Sequence, residues 1–507
     1  MDRQGQKGSI TVFLSLVCIL FLSLICASVE SARVQGAKAQ SANIAGMGNF
    51  SLFAEFDREL LEQYNIFSLD GTYGNGTFQI DKVNERLKHY ISYNTDPRKD
   101  VFSSLAFDPW QLELTDSDVS EYALLTDQKG EPFYQQAVSY MKTNTALLAA
   151  DRLLEYTKDT KEIETWQEKY EESKRTNDSQ MSGMEQEKQE KLEQIESEAE
   201  AAGDVAAEVT EEPEGNPLRE IMKLRKKSTL SIVTWDKEIS KKHVEVRDFP
   251  SRKRNRKGNM KIKKEHSGLI GDVVFREYLM MHFPNYLDDK EGHALDYQLE
   301  YILGGKNTDE KNLKYVVHRL LLIREGMNYL YCLKSPGIAA SAEGLAVSLT
   351  GFLGLPALTA ATKHALLLAW SYGESLIDVR ILLDKGKIPI FKEDSDWALS
   401  IENLRRITEV LREGAKSKGR GLTYEEYLRV LLNMSSVSSQ KMRALDMIQE
   451  ELRHSTNSAG FRADNCIVAV KTETQWKCSP VFFSLPRAVM GVHGADTSFS
   501  KTGSVAY

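Results

Sequence analysis

The chain has 507 residues, 41% of them hydrophobic and 27% charged, with a formal net charge of −8; this is globular composition, long enough for two to four domains. A mean hydropathy of −0.39 excludes a polytopic transporter, and the acidic balance excludes a protein that holds nucleic acid through its overall charge. Twelve prolines exclude a proline-rich stalk, and five cysteines exclude a scaffold built from disulfides.

The first element is apolar. Ile10 to Val29 reads ITVFLSLVCILFLSLICASV, 20 residues without a charge. As a helix rising about 1.5 Å per residue it covers about 30 Å, the hydrocarbon thickness of a bilayer. Arg3 and Lys7 precede it, which predicts residues 1–9 in the cytoplasm and the bulk of the chain outside, as a single-pass protein of the cell membrane. The run is longer than the core of a cleaved signal, and Ile25-Cys26-Ala27 and Glu30-Ser31-Ala32 are poor cleavage sites. Ile25 before Cys26 and Val17 before Cys18 spoil a lipoprotein box. A retained anchor is expected, with the lipid bilayer as the first partner.

Residues 30–65 are expected to continue as an amphipathic helical stalk, with Val34, Ala37, Ile44, Leu52, Phe56, Leu60 and Tyr64 mostly on helical spacing. Unbroken from Gly8 to Tyr64, this rod would be about 85 Å long; Gly46 and Gly48 predict a bend. Residues 66–150 read as a small α+β unit. It has a helix over Asp81–Ser92, strands at Trp110–Leu114 and Val119–Leu125, a turn at Lys129-Gly130 and a helix starting near Pro132.

Charge then segregates. Glu162–Glu214 carries 18 acids against five bases, and residues 151–217 are expected as a solvated helix grading into disorder, with a coiled coil as the alternative. Leu218–Lys264 inverts this, with 17 bases against five acids; residues 218–265 form a basic linker whose densest run is Ser251–Lys257. On an extracytoplasmic chain nucleic acid is not the expected partner. Arg252, Lys253, Arg254, Arg256 and Lys257 are instead candidates for contact with an anionic surface, such as lipid heads or wall polymer. The simpler alternative is an exposed loop balanced by the acidic stretch or by solvent.

Residues 266–460 are helical in pattern: Lys311–Leu333 and Thr423–Leu452 each carry an apolar stripe. Ile338–Leu383 is rich in alanine, leucine and glycine, but Glu343, Lys363, His364 and Glu374 favour core helices over a membrane hairpin. Residues 461–507 read as a β-hairpin with a polar, mobile tail from Gly491; its strands are expected at Cys466–Val470 and Val481–Leu485, with a turn near Thr472–Gln475. The fold class is α+β, mainly α.

No chemistry is legible. The motifs GxxxxGK(S/T), HExxH, GxSxG and a GxGxxG following a strand are missing. His282, His293, Glu277 and Asp289 match no metal-ligand spacing. Asp288-Asp289 reads as a turn former, and Asp394-Ser-Asp396 as a helix cap. No catalytic residue, cofactor or metal is expected. Cys466 and Cys478 are a disulfide candidate in an oxidising compartment, with two reduced thiols as the equal alternative.

Lys7-Gly-Ser-Ile-Thr-Val-Phe-Leu-Ser-Leu16, Glu30-Ser-Ala-Arg33 and the run from Asp57 to Gly71 (DRELLEQYNIFSLDG) resemble an uncharacterised bacterial family of single-pass membrane proteins. Tyr301-Ile-Leu-Gly-Gly-Lys306, Leu321-Leu-Ile-Arg-Glu-Gly326 and Tyr424-Glu-Glu-Tyr-Leu428 extend the resemblance over most of the chain. Its members are similar at the N-terminus to pseudopilins of tight-adherence (Flp-type) pili. The resemblance implies a non-catalytic component of such a pilus or secretion apparatus, with other components of it as partners. It also implies processing between Gly8 and Ser9, where a prepilin-type peptidase would cut. Many pilins carry a glutamate five residues into the mature helix; here that position is Phe13. A cell-surface protein binding anionic wall polymer or a partner protein is the second expectation, and an extracytoplasmic enzyme the third.

Overall fold

The computed structural model describes residues 4–95, 108–144, 150–201, 216–235, 237–288, 292–400, 403–413, 417, 419–455, 460–482 and 496–507. Over these residues the chain is mainly helical, with one small antiparallel sheet. It forms two compact units interleaved in sequence, the first from residues 1–137, 253–265 and 452–507, the second from residues 138–252 and 266–451.

The first unit is built on α1 (Gln4–Phe53), a 50-residue helix. Among the described residues it is the one helix long and apolar enough to cross a membrane. Its described apolar positions up to Val29 are nearly all exposed, whereas Ala37, Ile44, Ala45, Leu52 and Phe53 are buried. The change falls at Glu30. Up to there no described residue buries the helix; beyond it, every third or fourth residue enters the core.

The stalk expected over residues 30–65 is therefore half of a core. α1 runs through Gly46 and Gly48 without a break. A Cβ at Gly48 would lie 2.5 Å from Ile91, so this glycine lets α3 (Ile80–Thr95) approach closely. The helix stops at Phe53, and Asp57 caps α2 (Arg58–Tyr64) by accepting the Leu60 N–H at 3.0 Å.

The sheet that α1 covers has β3 (Cys466–Cys478) at its centre. On one side β3 pairs antiparallel with β2 (Leu112–Leu124). On the other it pairs with β1 (Leu69–Asp70) and then with β4 (Thr497–Ala506). Period-two alternation turns Val468, Val470, Thr472, Thr474, Trp476 and Cys478 inward, while Glu473 and Gln475 stay exposed. Val470 and Trp476 join Leu52, Phe53, Val83, Leu87 and Ile91 in one apolar cluster. The buried threonines are satisfied: Thr472 Oγ1 accepts from Asn49 Nδ2 at 3.0 Å, and Thr474 Oγ1 donates to the Lys501 carbonyl at 3.2 Å.

The C-terminal expectation needs correction. There is no turn at Thr472–Gln475, because β3 runs through it, and residues 497–506 are a strand instead of a mobile tail. Val481 and Phe482 lie outside the strands; residues 483–485 are outside the described residues. The two short strands expected at Trp110–Leu114 and Val119–Leu125 are one strand, β2, interrupted by register shifts. Tyr507 ends the chain against α1: its hydroxyl donates to the Phe53 carbonyl at 2.6 Å and its ring lies 4.5 Å from that of Phe53.

Between the units' sequences, α4 (Asp127–Asn144) opens with a left-handed turn at Gln128–Gly130, so its regular part follows Pro132 as expected. The second unit is helical. At its centre α11 (Asp309–Lys334) packs on α13 (Pro356–Leu383), flanked by α5 (Ala150–Gly183), α7 (Pro217–Lys226) and α8 (Thr229–Val233). The acidic stretch is helical over α5 and α6 (Glu185–Ala201), with 202–215 outside the described residues. The remaining helices are α9 (Leu269–His282), α10 (Gln298–Gly304), α12 (Pro336–Thr350), α14 (Ile407–Glu413), α15 (Tyr424–Asn433) and α16 (Val437–Ser455). The alanine-rich Ile338–Leu383 forms α12 and α13, a helical pair of the bundle.

Candidate functional site

What distinguishes this chain is the point where α1 leaves its exposed apolar run. Within that run Ser15, Ser23 and Ser28 donate to carbonyls three or four residues back, at 2.8–2.9 Å, so their hydroxyls need no outside partner. Directly after it, Glu30 and Arg33 sit one turn apart as a buried pair at 2.6 Å. Arg33 Nη1 donates to the Pro109 and Trp110 carbonyls (3.2 and 2.7 Å), and Nη2 to the Ser479 carbonyl (2.7 Å). Glu30 Oε2 accepts from the Val481 and Phe482 N–H groups (3.4 and 3.2 Å). The segment before β2 and the segment after β3 are thereby fastened to one turn of α1. Gly36 helps, since a Cβ there would lie 2.3 Å from the Trp110 ring.

Arg33→Met removes three of these contacts and leaves the Glu30 carboxylate without its cation. The expected cost to the first unit is about 2 kcal/mol, with faster amide exchange at Val481 and Phe482. Unchanged exchange at both amides would contradict the role given to this pair.

Gly8 and Ser9 lie in the early turns of α1. Cys466 and Cys478 are buried free thiols at opposite ends of β3. Twelve residues of extended strand separate them by about 40 Å, against the roughly 7 Å limit between the Cα atoms of a disulfide. The candidate disulfide is thus ruled out by geometry. Alkylation of the unfolded chain without reductant is expected to modify all five cysteines; protection of any two would contradict this arrangement.

The basic segment is ordered along the free edge of β2. The Tyr122 N–H donates to Asn259 Oδ1, and its carbonyl accepts from the Asn259 and Met260 N–H groups, at 2.8–3.0 Å. Asn255 N–H donates to Asp464 Oδ2 at 2.7 Å, and Gly258 N–H to Asp127. Covering a strand edge in this way blocks unwanted pairing. Burial pushes the Asp127 carboxyl above its ordinary value, against the pull of the Leu124 and Gly258 N–H groups and of Arg254 and Lys257. The arginines are partly committed: Arg252 donates to the Gly305 carbonyl, Arg254 to that of Thr126, and Arg256 stacks 4.7 Å from the Phe78 ring. Lys253 and Lys257 stay exposed.

His282, His293 and Glu277 do not converge. His282 stacks on Tyr278 at 4.2 Å, His293 faces Glu451 at 3.3 Å, and Glu277 pairs with Arg429 at 2.9 Å. Asp289 is outside the described residues. Among the described residues no three His, Cys, Asp or Glu side chains are grouped to hold a metal. Asp394–Asp396 is a short 3-10 turn closed by a reciprocal Glu393–Asp396 cap.

The second unit encloses an ionic cluster that sequence reasoning missed. Arg324 on α11 pairs with Asp378 on α13 at 2.9 Å; Lys392 pairs with Asp378 at 2.6 Å and with Glu374. All four side chains are at most 1% exposed. Arg324 also donates to the Pro389 and Ile390 carbonyls, to Tyr427 Oη and to Asn328 Oδ1 at 2.9–3.1 Å. Glu374 accepts from the Ala398 and Leu399 N–H groups at 3.0 and 2.9 Å. Burial raises Glu374; for Asp378 burial is outweighed by Lys392 and Arg324, which hold it below the usual carboxylate range. Two cations balance two carboxylates, with every partner supplied internally. Such a cluster specifies how α11, α13 and the 388–399 segment fit together. The signal in the sequence was the i, i+4 pair Glu374 and Asp378 in the mostly apolar second half of α13.

The model of a family of unknown function, DUF5702, matches residues 207–478. No curated protein and no solved structure matches the chain. The matched stretch takes in the ionic cluster and β3 and begins after α1. Because it covers 272 of 507 residues, the chain belongs to DUF5702, a family of unknown function.

Proposed function

We propose that the protein is a membrane-anchored, non-catalytic component of a pilus-like or secretion apparatus, with its N-terminus in the cytoplasm and its folded units outside. The observation that carries this reading is α1. One unbroken helix presents an exposed apolar run and then becomes a core element under an antiparallel sheet. A helix of that design holds a subunit in the bilayer and keeps the same helix available for packing against other helices in an assembly. The pseudopilin-like N-terminal residues and Gly8-Ser9 favour this reading, and the closed ionic cluster suits a structural part better than a catalyst. The size of the chain favours a minor or assembly-associated subunit over the repeating one.

Deletion of the gene tests this. Loss of surface filaments or of the associated secretion, restored by the full-length chain, is expected; undiminished filaments and secretion would overturn the proposal. A second reading, binding of anionic wall polymer, rests on exposed Lys253 and Lys257 on an ordered loop. It requires salt-sensitive retention on wall preparations that Lys253→Ala/Lys257→Ala abolishes.

A further inference from the structure

Glu30 follows directly on Val29, the last residue of the apolar run. Four residues of helix separate Val29 from Arg33, about 6 Å along the axis. The headgroup region adds about 5–7 Å on each side of the hydrocarbon. If Ile10–Val29 spans the bilayer, the backbone groups bonded to Glu30 and Arg33 are held at headgroup depth. They belong to Pro109, Trp110, Ser479, Val481 and Phe482.

The chemistry of these residues suits that depth. Pro109-Trp110 and Pro480-Val481-Phe482 carry no charge. Phe482 is 40% exposed although its N–H is bonded to Glu30. Of the charged residues flanking these segments, Asp108 accepts the Trp110 N–H at 2.9 Å, and Lys477 pairs with Asp496 at 2.9 Å. Glu30 and Arg33 neutralise each other. An uncharged aromatic and proline surface beside a spanning helix is what the membrane interface accommodates, and aromatic residues concentrate there.

We propose that the end of the sheet formed by Pro109, Pro480, Val481 and Phe482 is a lipid-contacting surface, seated in the headgroup layer by the Glu30–Arg33 pair. This rests on reading Ile10–Val29 as the membrane span. The first unit then stands on the bilayer with a fixed orientation, since one turn of α1 fastens the sheet to the anchor. A filament subunit or a docking partner would meet it in a single pose.

The test uses the full chain in liposomes of phosphatidylcholine and phosphatidylglycerol, with a thiol spin label at one position at a time. Native Cys18 reports on the anchor, F482C on the proposed surface, and N75C, in an exposed loop, on bulk water. Cys332, Cys466 and Cys478 are buried; the unused membrane cysteines are replaced by serine. The expected result is oxygen-rich collisions at Cys18 and, at F482C, loss of most of the collisions with an aqueous nickel chelate seen at N75C. Adding Arg33→Met should return the F482C label towards the N75C value. A lipid-like Cys18 with F482C equal to N75C would overturn the surface and leave the anchor standing. A water-like Cys18 would overturn the anchor reading, and the surface with it.

Discussion

Lys392→Met is expected to destabilise the helical unit by about 3–5 kcal/mol, the usual cost of stranding a buried charge. The lysine pairs with both Glu374 and Asp378 and lies 5.3 Å from the Trp397 ring. Without it, Asp378 keeps Arg324, but Glu374 keeps only the Ala398 and Leu399 N–H groups. Adding Glu374→Gln removes the stranded charge and should recover part of the loss, because the two sites share one interaction. Denaturant unfolding followed by tryptophan fluorescence reads both effects, with Trp370 and Trp397 beside the cluster. A loss under about 1 kcal/mol for Lys392→Met would show that the four charges are not the closed set described.

The second large effect is a fall in stability as pH rises. Glu300 is fully buried. It accepts the Tyr286 N–H at 2.9 Å and the Tyr424 hydroxyl at 2.6 Å, while its other oxygen has no hydrogen-bond partner among the described residues. Burial raises it to about 7, against the pull of those two donors. Glu325 is likewise raised to about 7 by burial despite Arg225 and Lys174, and Asp446 to about 6. In the unfolded chain these groups titrate near 4. The folded chain therefore holds more protons between about pH 4.5 and 7, and the stability this confers is lost as pH rises through that window.

Each glutamate contributes at most about 3–4 kcal/mol. Carboxylates held low, such as Asp378, act in the opposite sense but only at pH values below the ordinary carboxylate range. Unfolding midpoints should thus be higher at pH 5.5 than at pH 8, and Glu300→Gln should flatten the slope while keeping an acceptor for Tyr286 and Tyr424. An identical slope in that variant would remove Glu300 from the explanation.

Much of the architecture is written in local pattern. The exposed half of α1 is plain from a 20-residue run without charge, and Val83, Leu87 and Ile91 mark the buried face of α3 by their spacing of four. Leu313, Val316, Val317, Leu320 and Leu321 do the same for α11. The sheet was harder because its strands are distant: more than 340 residues separate the end of β2 from the start of β3. Thr472-Glu-Thr-Gln475 looks like a turn by composition, yet Thr472 and Thr474 are inward positions satisfied by Asn49 and the Lys501 carbonyl. β4 is equally obscure, since TSFSKTGSVA is polar and contains a glycine; its strand character comes from pairing with β3.

The candidate site divides along the same line. That the apolar run ends at Val29 is visible in sequence; that Glu30 and Arg33 clasp two segments from far along the chain is not. Nor does spacing reveal that Cys466 and Cys478 share one strand, because twelve residues allow a hairpin as readily as an extended run. The buried ions left one trace, charges placed where an apolar helix face was expected.

The most direct measurement is the mass of the mature chain extracted from membranes. A protein that retains Ile10–Val29 is expected, beginning at Ser9 if a prepilin-type peptidase acts and at Met1 if it does not. A chain beginning after Ala27 or Ala32 would contradict it, since α1 would then have been a signal discarded before the folded units reached their working place.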